Sequence, residues 1–134
     1  MAQYEHLPIY KQVMDLTVYV EKIVRGFSRY NKYTIGSEMR VLSHKILVLI
    51  VRANSEPDKR RSLTEVREKL EELKILARIS QELKVFAGIN SFECLVKMIV
   101  EAARQNEGWL RSLNPRPQAG VERAYIHGAP RPPR

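Results

Sequence analysis

Ile9, Val13, Leu16, Val20, Ile23, Val24 and Phe27 recur at spacings of three and four, which puts them on one side of an α-helix. This stripe constrains the fold more than any other feature, because three further segments repeat it with short connections between them. A helix with one apolar stripe must bury it against another element, and helices joined by short loops pack as antiparallel neighbours. The pattern predicts helices over about residues 8–28, 35–54, 62–87 and 91–112. The expected fold is all-α, an antiparallel up-down four-helix bundle spanning residues 1–113.

Local signals support these boundaries. Pro8 sits at a helix start, where its missing N–H does no harm. The run SRYNKYT at 28–34 breaks the pattern as a polar and aromatic connection, and SEPDKRR contains the breaker Pro57. Ser62 and Glu65 form an S-x-x-E capping box for the third helix. Gly88 fits just beyond its end, and Asn90 or Ser91 fits the cap of the fourth. Residues 114–134 hold five of the seven prolines and no periodicity. With Arg116, Arg123, Arg131 and Arg134 against Glu122 they carry +3 and read as a flexible basic tail.

Two helices carry more apolar surface than one bundle needs. Leu47 and Val51 lie behind the stripe of Met39, Leu42, Ile46, Leu49, Ile50 and Ala53, with Val41 and Val48 along one flank. In the third helix Leu63, Val66, Leu70, Leu73 and Ala77 form the core stripe, and Ile75, Ile79 and Phe86 form a second strip roughly opposite. Between the strips lie Arg67, Lys74 and Arg78, within about 40° of one another at about 100° per residue. The second strip, with Leu47 and Val51, is expected to meet another subunit in a ring-like homo-oligomer that repeats the basic ridge.

Charge narrows the function classes. The 134 residues carry 23 Lys and Arg against 15 Asp and Glu, a net charge of +8, which favours a polyanionic partner and nucleic acid first. Arg25, Arg29 and Lys32, with Lys22, form a basic run alongside Tyr30 and Tyr33, a mixture suited to phosphate contacts and base stacking. Arg40 shares a helix face with His44; Lys59, Arg60 and Arg61 cluster before the third helix; Arg104 and Arg111 line the fourth. No paired nucleophile and base, no E-x-x-H and no glycine-rich phosphate loop occur, so no enzyme, metal or cofactor is expected. One cysteine, no signal peptide and no long apolar stretch point to a cytoplasmic protein without a membrane partner.

Three segments carry a family resemblance: SRYNKYTIGSEMR entering the second helix, LEELKILARISQELKVF in the third, and RQNEGWLRS closing the fourth. Over about residues 7–113 the chain resembles the four-helix-bundle family of accessory variability determinants (Avd) of diversity-generating retroelements. Proteins encoded by intervening sequences in 23S rRNA genes share that family. Glu107 departs from the pattern, standing where many relatives have a second glycine. The Avd resemblance implies a basic homopentamer that binds the retroelement's reverse transcriptase and its RNA without catalysis of its own. It places the family's helix-3 basic positions on Lys74 and Arg78.

Overall fold

The computed structural model describes residues 3–114. Four long helices dominate: α1 (Pro8–Arg25), α2 (Ile35–Ser55), α3 (Arg60–Glu82) and α4 (Ile89–Ser112). A 3₁₀ turn at Gln3–His6 precedes α1, and one helical turn at Arg29–Lys32 stands between α1 and α2. No strand occurs among the described residues. The expected tail lies outside them beyond Asn114.

α1 and α3 each pack on both α2 and α4, so the four helices close around one core. Cross-helix bonds give the directions. Gln12 reaches Met98 and Tyr19 reaches Ser91, while Thr17 reaches Ser43 and Arg40 reaches Glu21. In each set one number rises as the other falls, the mark of antiparallel neighbours.

The stripes supply the core as expected. Val13, Leu16, Val20, Met39, Ile46, Ile50, Leu63, Val66, Leu73 and Leu95 are fully enclosed. Each such side chain contributes roughly 1.5–3 kcal/mol relative to exposure in water. In α4 the buried face takes in Ala102 and Asn106, leaving Ala103 partly exposed. The Asn106 amide donates to the Leu63 carbonyl at 2.9 Å, which gives that buried polar group one partner across the helix pair.

Helix ends differ from expectation at both ends of α3 and at the start of α4, and α1 stops at Arg25 rather than 28. α3 begins at Arg60, so Ser62 lies inside its first turn and makes no capping box. Its hydroxyl donates to Glu56 at 2.6 Å, and the Asp58 carboxylate accepts the Arg60 N–H at 3.2 Å. At the other end α3 stops at Glu82, five residues short of 87, because Lys84 turns left-handed at φ 57°. The Lys84 N–H then reaches Gln81 at 3.0 Å and the Val85 N–H reaches Ser80 at 2.9 Å, the paired bonds of a Schellman ending. Gly88 stands extended and caps α4 instead.

That early stop decides the fate of Phe86. Released from helical geometry, it turns inward and lies edge-on to Phe27 at 5.7 Å, with Phe92 at 5.8 Å. It is a core residue, and the outward strip on α3 ends without it. On the other side of Phe27, α2 starts very close to the end of α1. A Cβ on Gly36 would stand 2.8 Å from Val24 Cγ1 and 3.0 Å from the Asn31 carbonyl, so only glycine permits this approach.

Candidate nucleic-acid interface

The predicted cations fall into two groups once their neighbours are known. Arg67 grips Glu107 with two hydrogen bonds, at 2.7 and 2.8 Å from Nε and Nη2. Arg104 holds Glu101 in the same forked manner at 3.0 and 2.6 Å. Lys74 lies 3.3 Å from Glu71, and Arg60 donates to the Asn114 side chain at 2.9 Å. The Lys59 ammonium donates to the carbonyls of Ala53, Asn54 and Glu56 at 3.0, 3.0 and 3.1 Å, where it caps the C-terminus of α2. These side chains already have acceptors.

The carboxylates report the same pairing. Arg104 holds the Glu101 carboxyl down to a pKa of about 2, and Arg67 keeps that of Glu107 below its usual value. Partial burial opposes ionisation of Glu21, but hydrogen bonds from Arg40 and His44 outweigh it and leave its pKa lowered. Glu21 therefore joins α1 to α2 through Arg40 at 2.9 Å and His44 at 2.8 Å. Helix-by-helix reading of the sequence misses Glu21 and Glu107, because each partner lies on another helix.

Arg67 and Lys74 line a groove of about 600 Å³ between α3 and α4. Its floor is apolar, with Leu70 and Ile99, Val100 stands on its wall, and its rim also carries Glu68, Glu71 and Glu107. The ridge expected from Arg67, Lys74 and Arg78 is thus a band of alternating sign. Within it Arg78 is exposed and has no carboxylate partner among the described residues.

A second region gathers cations with fewer partners. Arg25, Lys32 and Arg40 line a cavity of about 180 Å³ between α1 and α2, with Glu21 and Val24. Arg29 stands on the adjoining turn with Tyr30 and Tyr33, which are 76% and 71% exposed. Among the described residues Arg25, Arg29 and Lys32 make no ion pair. Arg61 and Arg111 likewise make none and stand apart from this cluster, near the start of α3 and the end of α4.

The expected subunit-contact residues also separate. Ile75 and Ile79 are 51% and 42% exposed, as their helix face requires. Leu47 is partly buried against the core and Val51 is half-buried. Val41 and Val48 are the exposed apolar residues of α2.

Among the described residues no group of three or more His, Cys, Asp and Glu could hold a metal, and no helix is long and apolar enough to cross a membrane. A comparison with protein-family models matches residues 7–113 to the family described as bAvd-like. A comparison with curated proteins finds no match.

Proposed function

This chain belongs to the bAvd-like family, and from that membership we propose that it is a non-catalytic accessory protein of a diversity-generating retroelement. In this reading it binds nucleic acid and the element's reverse transcriptase, and supports mutagenic cDNA synthesis and retrohoming in the cytoplasm. The family match over residues 7–113 carries the reading. The net charge of +8 and the cation cluster at the α1–α2 connection support its nucleic-acid half. Exposed Val41, Val48, Ile75 and Ile79 support assembly into a ring-like homopentamer, the form the Avd resemblance implies.

Co-expression with a reverse transcriptase of a diversity-generating retroelement from the same genome is the direct test. The two should co-purify, and the chain should bind RNA with an affinity that falls steeply between about 50 and 200 mM salt. Failure of both, with the chain folded, would overturn the proposal.

The internal pairing of Arg40, Arg67, Lys74 and Arg104 favours a second reading. A chain that neutralises so many of its own cations suits a self-associating structural module of the intervening-sequence type. A stable oligomer that retains neither RNA nor polymerase would favour that alternative.

A further inference from the structure

The connection between α1 and α2 is short, well held and chemically unlike the rest of the surface. Local hydrogen bonds fix it. The Lys32 and Tyr33 N–H groups reach Ser28 and Arg29 at 2.8 and 3.3 Å, Asn31 Nδ2 donates to Ser28 at 3.0 Å, and the Thr34 hydroxyl donates to Tyr30 at 2.9 Å. Gly36 presses against the inner side, close to the Asn31 carbonyl, and Phe27 is the aromatic that the core takes from this region. Tyr30 and Tyr33 are left outside, the two most exposed large hydrophobic residues among those described.

At about 100° per residue, Lys32, Arg29, Tyr33 and Tyr30 follow one another around the outer side of this turn, and Asn31 faces inward. The order is cation, cation, aromatic, aromatic. Lys32 at one edge lines the cavity that also holds Arg25 and Arg40. The nearby carboxylate, Glu21, is already occupied by Arg40 and His44, so it does not neutralise Arg25, Arg29 or Lys32.

We propose that this turn and the adjoining cavity form a binding platform for single-stranded nucleic acid, in which Arg25 and Lys32 receive a backbone phosphate while Tyr30 and Tyr33 stack on bases. The proposal rests on the nucleic-acid function above and specifies the strand state and the surface. Unpaired bases expose faces that aromatic rings can cover, whereas a duplex stacks its own bases and offers its phosphates alone. Unpaired cations beside exposed rings match the first ligand. The hydrogen-bonded turn also leaves less backbone freedom to lose on binding.

Fluorescence anisotropy with labelled single-stranded RNA, single-stranded DNA and a duplex of the same sequence, at about 50 mM salt, tests this. The wild-type chain should bind the single strands more tightly than the duplex, and the RNA and DNA arms show whether the sugar matters. Tyr30→Ala with Tyr33→Ala should weaken single-strand binding by at least about thirtyfold and leave duplex binding unchanged. The corresponding Phe pair should retain wild-type affinity, since stacking needs the ring and not the hydroxyl. Arg25→Gln with Lys32→Gln should weaken both ligands. On the single strand it should also flatten the logarithmic salt slope by about 0.7 for each phosphate that is no longer neutralised.

Wild-type single-strand affinity in the Ala pair would overturn the platform while leaving the nucleic-acid function standing. Equal losses in the Phe and Ala pairs would overturn stacking. If the Ala pair lost only its hold on the reverse transcriptase, the surface would belong to the polymerase and the proposal would fall. No binding of any strand by the wild type would overturn the functional reading and the platform together.

Discussion

The α1–α2 connection and the α3 ridge carry similar cations in sequence: Arg25, Arg29 and Lys32 in one, Arg67, Lys74 and Arg78 in the other. In the fold they are opposites. Arg67 and Lys74 line the α3–α4 groove with Glu68, Glu71 and Glu107 and are engaged in ion pairs, while Arg78 lies outside the groove's lining without one. In the connection, Arg25 and Lys32 share their cavity with a single carboxylate that already has two other partners, and Arg29 stands on the adjoining turn. A count of positive residues therefore overstates the charge available to a partner. What matters is which cations have internal acceptors.

The groove should behave as structure. Leu70 is 1% exposed at its floor, so Leu70→Ala should lower stability by about 2–5 kcal/mol, read from the shift of a urea midpoint. Gly36→Ala probes the other region. Its Cβ would collide with Val24 and the Asn31 carbonyl, and the overpacking should cost about 1–3 kcal/mol and loosen the turn that carries Tyr30. Tolerance at Gly36 would show that the close approach of α2 to α1 is not what holds that turn.

Smaller effects separate the regions by pH. Glu107 titrates below its usual value of 4.5 because Arg67 holds its charged form. Its folded pKa is the lower one, so the pair's stabilisation is present above 4.5 and is lost as the pH falls below it. Both partners are more than a third exposed, so Glu107→Gln should cost at most about 1 kcal/mol at neutral pH. The gap between wild type and variant should close in acid, as read from thermal unfolding. A gap that widened in acid would show that Glu107 works through something other than its charge. The smallest effect belongs to Val100, half exposed on the groove wall: Val100→Ala should change stability by less than about 0.5 kcal/mol.

Much of the bundle was legible from periodicity, because the 3.6-residue repeat is a local property and the four stripes are long. The starts of α1 and α2 fell where Pro8 and Ile35 put them. The end of α3 did not, since a left-handed Lys84 is uncommon and Gly88 offered the more ordinary stop. That displacement carried Phe86 from an expected outer strip into the core. The candidate site was legible only as a set of cations. Arg67 and Glu107 are 40 positions apart, and Arg40 and Glu21 are 19 apart, so the pairings that silence some cations appear only when helices pack. The wheel of a single helix shows a ridge on α3, and the neighbouring helix partly cancels it.

The most direct test compares two variants with the same loss of two positive charges. Arg25→Gln with Lys32→Gln removes cations without internal ion pairs, and Arg67→Gln with Lys74→Gln removes cations already paired. Long-range attraction to a single-stranded oligonucleotide falls equally in both. Anisotropy at about 50 mM salt should show the first losing more than about tenfold in affinity and the second less than about threefold. Equal losses, or a larger loss in the Arg67 and Lys74 variant, would contradict the account and return the binding surface to α3.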